Sequence, residues 1–292
     1  TPFKGKRVRR PVTVAGTWDV TVAIGDREMS RVLTLQRQGE QLTGEYRGDG
    51  FSNAKLGPIA LDDDRLEFPV EIAMEGRQPI DVQYELVVQG DRMSGTASIN
   101  NGQWSAPIRA KRRRDWGDPI RLIDEAGLGN WEFQRVGREN HWSNVDGTLV
   151  NEAAGWNIYT KEKFQNYKLQ LEVKVPPRGN SGIYLNGRYE VQVADGYGKK
   201  LSEGGIGAIY GRAVPTANPS KPADEWQKFE IRFVDYWVSV TLNGTNIVDN
   251  VLIEGITGGA LDSDEASPGP LMLQGDHGPI EYRDIVLTPL RR

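Results

Sequence analysis

The 292-residue chain contains no cysteine and only two histidines. The first absence removes disulfides, thiolate metal sites and a cysteine nucleophile together. The second confines histidine chemistry to His141 and His277. Long hydrophobic runs are missing as well: no stretch of about 18 uncharged apolar residues occurs, so no membrane span is expected. A sustained helical repeat is also absent, the best candidate being a short helical start at Leu122 to Ala126. In their place stand 34 glycines and 16 prolines, the composition of a turn-rich globular protein.

Charge is divided unevenly. Residues 1–114 carry 18 Lys+Arg against 15 Asp+Glu, a balance of +3, whereas the remainder carries 18 against 25, a balance of −7. A nucleic-acid binder concentrates cations on its binding domain. Here the basic runs KGKRVRR (4–10) and KRRR (111–114) only bracket the first domain, where solvated flanking segments are expected and no nucleic-acid partner is. The chain begins at Thr1 and not at methionine, as a mature exported protein does after loss of a leader, so the expected location is secreted or periplasmic.

Residues 15–112 read as about eight short alternating strands joined by tight turns, the pattern of an up-and-down antiparallel barrel or meander. Gly16-Thr17-Trp18 resembles the GxW start of lipocalin-like barrels. Asp62-Asp63-Asp64 is expected to be a polar hairpin tip. Arg112 to Pro119 makes a natural linker, which divides the chain into domains 1–114 and 115–292. The second domain is also β-rich. Leu169, Leu171, Val173 and Val175 alternate with polar residues; Phe229, Ile231 and Phe233 repeat the pattern, and Val238, Val240 and Leu242 lead into an Asn243-Gly244 turn. Long alternating strands with irregular loops predict a two-sheet sandwich or jelly roll, so the whole chain is expected to be all-β.

Chemistry concentrates between Asn180 and Asp195. A two-residue turn at Asn186-Gly187 would pair Ile183 with Glu190 and mix core with polar residues. A three-residue loop Leu185-Asn186-Gly187 puts Ile183, Tyr189, Val191 and Val193 on one buried face. The opposite face then gathers Asn180, Tyr184, Arg188, Glu190 and Gln192, with Gly182 leaving room above the Glu190 carboxylate and Asp195 near the strand end. Such a row needs partners, and a ligand is expected to supply them. Two further segments share this character. Gly207 to Arg212 (GAIYGR) misses the dinucleotide-binding spacing and reads as backbone passing a bulky group, with Tyr210 available. Leu273 to Gly278 (LQGDHG) places Gln274 and His277 in a Gly-flanked loop.

Taken in order, Asp146-Gly147-Thr148-Leu149, NSGIYL from Asn180, YEVQVAD from Tyr189, GAIYG from Gly207, Glu225-Trp226, Leu242-Asn243-Gly244, GPLMLQGDHG and the closing EYRDIVLTPL resemble the 3-keto-disaccharide hydrolase family. The resemblance covers most of the second domain and does not extend into residues 1–112. It implies a concanavalin-like jelly roll, usually exported, that cleaves glycosides whose sugar carries a ketone at C3. Two departures stand out: Asn186 where the family often has Arg, which bears on sugar selectivity, and an inserted Gly275, which bears on the position of His277.

A C3 ketone acidifies the C2 proton, so one modest base can remove it and the C1 substituent can leave by elimination, with water adding afterwards. Glu190 or His277 is the expected base. Arg188, Asn180 and Gln192 would hold the ketone and hydroxyls, with Tyr184, Asp195 and Gln274 as further substrate contacts. Tyr210 and Trp226 would supply a stacking surface or a proton. A divalent metal held by Glu190 and His277 is an alternative means of stabilising the enolate. The expected partner is a glycoside or oligosaccharide. Two rivals stay open: a non-catalytic, lectin-like sugar-binding module, and an ordinary endo-glucanase, for which the paired-carboxylate strand is missing.

Overall fold

The computed structural model describes residues 12–49, 53–73, 76, 78–100, 102–123, 127–136 and 139–291. The basic run at 4–10 and residues 124–126 of the expected helical start lie outside them, and Leu122 and Ile123 are not helical. Among the described residues there is no helix, and the protein is all-β. It divides into two compact units, Thr1–Arg114 and Asp115–Arg292.

The first unit is a nine-stranded antiparallel meander: β1 (Gly16–Ile24), β2 (Arg27–Gln38), β3 (Gln41–Gly48), β4 (Asn53–Leu56), β5 (Ala60–Asp62), β6 (Arg65–Ala73), β7 (Ile80–Gln89), β8 (Arg92–Ile99) and β9 (Trp104–Arg112). Its order, β3-β2-β1-β9-β8-β7-β6-β4 with β5 on β6, curls the sheet into a nearly closed barrel. Alternate residues such as Trp18, Leu33, Phe68, Tyr84 and Ile108 fill the interior, as the period of two requires. Trp18 is fully buried, and its indole N–H donates to the Val14 carbonyl at 2.9 Å. The KRRR run is a solvated flank only at Lys111 and Arg113, which are exposed. Arg112 is buried over the Trp18 ring at 4.4 Å, and Arg114 pairs with the buried Asp91 at 2.6 Å; each guanidinium thereby gains a partner on leaving water.

The second unit is a sandwich of two antiparallel sheets. Its strands are β10 (Ile120–Arg121), β11 (Trp131–Gln134), β12 (Trp142–Val145), β13 (Thr148–Asn151), β14 (Asn157–Thr160), β15 (Tyr167–Lys174), β16 (Asn180–Leu185), β17 (Tyr189–Ala194), β18 (Trp226–Val234), β19 (Trp237–Leu242), β20 (Thr245–Leu252), β21 (Met272–Leu273) and β22 (Ile280–Pro289). One sheet runs β12-β13-β22-β15-β18-β19-β20 with β10 on β22, and the other β11-β14-β21-β16-β17. Leu169, Leu171 and Val173 of the first meet Ile183, Leu185, Val191 and Leu273 of the second in one buried core. Non-directional burial of this kind holds the sheets together.

Two Asn-Gly dipeptides behave differently. Asn243 and Gly244 both have positive φ (47° and 83°) and join Leu242 directly to Thr245, the two-residue hairpin that this pair favours. At Asn186-Gly187 both φ values are again positive (52° and 67°), but the loop takes in Arg188, so that Leu185 pairs with Tyr189 and Tyr184 with Glu190. The loop is therefore Asn186–Arg188 and not Leu185–Gly187. The core demands it: Leu185 and Tyr189 are both fully buried and must face the same way.

Candidate active site on the open sheet face

The residues of the five-stranded sheet that point away from the core form two rows. Strand pairing sets Glu132, Tyr159, Met272, Tyr184 and Glu190 side by side across all five strands. In the next row Gln134 pairs with Asn157, the Gln274 N–H donates to the Gly182 carbonyl, and Gly182 pairs with Gln192. The parity of the Asn180–Asp195 reading holds, since Glu190, Tyr184 and Gln192 share the face opposite Ile183, Val191 and Val193.

Glu190 is the centre of this face. Its backbone is clamped on both sides: the N–H donates to Thr257 Oγ1 at 2.9 Å, and its carbonyl accepts the Tyr210 N–H at 3.0 Å. Gly182 leaves the space its carboxylate occupies, because a Cβ there would lie 2.6 Å from Glu190 Oε1 and 2.9 Å from Tyr184 Cε2. Glu190 is 5% exposed, and burial pushes its carboxyl up to about 7. The Tyr184 hydrogen bond and the His277 charge work against that rise, and the Asp276 carboxylate adds to it. Tyr184 is itself buried, and its hydroxyl donates to the Gly258 carbonyl at 2.9 Å; burial, then the neighbouring Glu190, push its phenol far above the usual range. His277 is half-exposed beside these groups, its Nδ1 2.5 Å from Asp276 Oδ1.

The remaining residues fare variously. The Gln192 amide donates to Asn180 Oδ1 at 2.6 Å, so these two brace each other. Gln274 is buried, and its Oε1 has no donor within the protein. Tyr210 is 46% exposed, and its backbone N–H holds the Glu190 carbonyl. Asp195 accepts the Arg178 N–H at 2.9 Å and faces Lys199 at 3.7 Å, so it stabilises the loop beyond the strand. The inserted Gly275 fits a gap no side chain could enter, since a Cβ would lie 2.3 Å from the Trp156 carbonyl, and His277 still reaches the surroundings of Glu190.

Three expectations need correcting. Arg188 does not hold a ketone. The three-residue loop carries it off the face, and its guanidinium makes a two-pronged pair with Asp262 (2.6 and 3.2 Å) and donates to the Ser267 carbonyl at 2.8 Å. Asn186 is buried at the same loop, where its amide donates to the Gln165 carbonyl at 3.3 Å. Trp226 belongs to the other sheet. Gln227 and Phe229 alternate with it into the core, so its ring points out of the sandwich, beneath Arg283 at 3.9 Å and Lys174 at 5.2 Å. Arg188→Ala leaves Asp262 without its partner, and because Asp262 is half-exposed the expected loss is about 2 kcal/mol in urea unfolding. Trp226→Ala removes only cation–π contacts, about 1 kcal/mol of stability, and leaves turnover of glycosides unchanged in a steady-state assay.

Several members of the face were missed by sequence reasoning. Asp276 adjoins His277 within the LQGDHG segment and was visible as an acid–histidine dipeptide in a Gly-flanked loop. Glu132, Gln134, Asn157 and Tyr159 sit on strands of four residues, too short for periodicity to assign a face. Thr257 and Gly258 lie in an irregular loop with no motif. Among the described residues no three His, Asp or Glu side chains converge as a metal-ligand set.

A sandwich whose open face carries one deeply buried carboxyl among tyrosine, amide and histidine groups defines a carbohydrate-active jelly roll of glycosyl hydrolase type. Residues 118–288 match the family described as the 3-keto-alpha-glucoside-1,2-lyase-like domain, and the chain belongs to that family. A candidate glycosyl hydrolase from Parabacteroides distasonis is similar at 29% identity, covering 60% of this chain and 90% of its own, with a TM-score of 0.49. A second from the same organism is 23% identical over 59% of this chain and 98% of its own, with a TM-score of 0.46. LamAcat from Zobellia galactanivorans is 12% identical over 60% of this chain and 97% of its own, at a TM-score of 0.38. No curated protein matches the chain.

Proposed function

We propose that the second unit cleaves the glycosidic bond of 3-keto-glucosides by elimination, with Glu190 as the base. The observation that carries this is the lone buried carboxyl of the open face, raised to about 7, where a group is part-ionised at neutral pH and strong enough to accept a carbon-bound proton. Glu190 takes the proton from C2; the electrons pass to the C3 oxygen as an enolate. When the carbonyl re-forms, the C1–C2 double bond closes and the C1–O bond breaks. The leaving oxygen takes a proton from His277, which Asp276 orients at 2.5 Å. Water adds at C1 and a proton returns to C2, giving the free 3-keto sugar. Gln274, in the row beside Glu190, would offer its side-chain amide to a sugar hydroxyl.

An ordinary retaining glycosidase needs two carboxylates about 5 Å apart. Glu132 shares the Glu190 row but is four strand spacings away, about 19 Å, and Asp276 is engaged with His277. The reading is tested with a 3-keto-glucoside beside its unoxidised parent. Turnover of the keto substrate alone is expected, with kcat/KM rising as pH passes upward through about 7, because the active base is the ionised form. Turnover of the parent alone would overturn it, and binding without turnover of either would leave a sugar-binding module.

A further inference from the structure

Of the six exposed large hydrophobic residues among the described positions of the second unit, four fall in one loop: Tyr197, Leu201, Tyr210 and Val214. That loop flanks the free side of β17, where the Tyr210 N–H holds the Glu190 carbonyl. Beside it lies a cavity walled by Ala194, Gly196, Leu201, Ile206 and Pro215. Tyr210 stands between the cavity and the carboxylate. Its ring packs over Gly204, a cavity residue whose added Cβ would lie 3.6 Å from Tyr210 Cε2, and its backbone N–H donates to the Glu190 carbonyl at 3.0 Å.

The polar groups of this cavity are already engaged. Asn218 donates to the Gly196 and Lys199 carbonyls (2.7 and 3.0 Å) and accepts from Ser220 Oγ at 2.7 Å. Asp195 accepts the Arg178 N–H at 2.9 Å and faces Lys199. Lys199, Lys200 and Ser202 keep exposed side chains to offer, Lys199 reaching Asp195 only at 3.7 Å. A second sugar ring, with several hydroxyls to satisfy, would bury most of them unpaired; a flat apolar ring system would not. Ala194 shares the open face with Glu190 four residues further on, about 13 Å along the strand, so one ring attached at C1 reaches Tyr210 but not the cavity.

We infer that the cavity beside Tyr210 is the aglycone subsite, and that it selects 3-keto-glucosides of an aromatic aglycone with two or more fused or linked rings. The inference rests on the elimination reading for its kinetics but not for its binding. The test uses 4-methylumbelliferyl and 4-cyanophenyl 3-keto-α-glucosides, whose leaving groups are of similar acidity, with a 3-keto-disaccharide as third substrate. Binding of 4-methylumbelliferone itself is followed by fluorescence. The two-ring substrate is expected to lead in kcat/KM by about tenfold, the worth of one aromatic contact. Leu201→Asp and Tyr210→Ala are each expected to erase that ratio and weaken 4-methylumbelliferone binding. Turnover with equal kcat/KM for the two aryl substrates, or preference for the disaccharide, would overturn the subsite and spare the chemistry. Binding that is lost in both variants, with no turnover of any substrate, would sustain the subsite and overturn the chemistry.

Discussion

Glu190→Gln is expected to lower kcat on a 3-keto-glucoside by about 10³-fold, the contribution of a positioned general base, while the folded protein becomes more stable at alkaline pH. Both effects share one cause. Burial holds the Glu190 carboxyl at about 7 in the folded state, above its ordinary value. The raised value means that the stability linked to this group is fully present in acid and is lost as pH rises through about 7. Glutamine has no charge to desolvate. The unfolding free energy of the variant relative to the wild type should therefore shift in its favour by about 2 kcal/mol between roughly pH 5 and pH 8. Urea titrations at the two pH values check this. A variant equally inactive but without the pH-dependent gain would show that Glu190 is not held neutral by its surroundings.

The second large effect comes from a residue with no functional group. Gly182→Ala places a methyl group 2.6 Å from Glu190 Oε1 and 2.9 Å from Tyr184 Cε2. Neither can retreat freely: Tyr184 is pinned by the Gly258 carbonyl and Glu190 by Thr257 and Tyr210. The carboxylate has to swing, and displacement by about 1 Å is expected to lower kcat about 10²-fold; because Gly182 is buried and the Tyr184 ring is crowded as well, a stability loss of about 1–3 kcal/mol accompanies it. Wild-type kcat in Gly182→Ala would show that the carboxylate position does not matter to the reaction.

Much of this face was legible before the fold was known, for a specific reason. Side chains alternate strictly along a strand, so the buried set Ile183, Val191 and Val193 determines the open set Tyr184, Glu190 and Gln192 whatever the register. The loop itself was misplaced by one residue. That left the parity intact and cost only Arg188, the residue nearest the turn. Trp226 failed differently: its alternation was readable, but which of two sheets its strand joins depends on pairing with Lys174, distant in sequence. Glu132, Gln134, Asn157 and Tyr159 reach the face only because β11 and β14 dock beside β21, a non-local event that no local pattern encodes. The resemblance carried the LQGDHG loop to the site, and there the structure adds Asp276 to the histidine that sequence reasoning had singled out.

The pairing of Glu190 with a carbon acid is tested most directly by isotopic substitution at the atom it is proposed to deprotonate. With 3-keto-glucoside carrying deuterium at C2, kcat/KM should fall severalfold relative to the protio substrate. Identical rates for the two with a good leaving group, which makes proton transfer and not C1–O cleavage limiting, would contradict proton abstraction by Glu190 and return the site to direct displacement at C1.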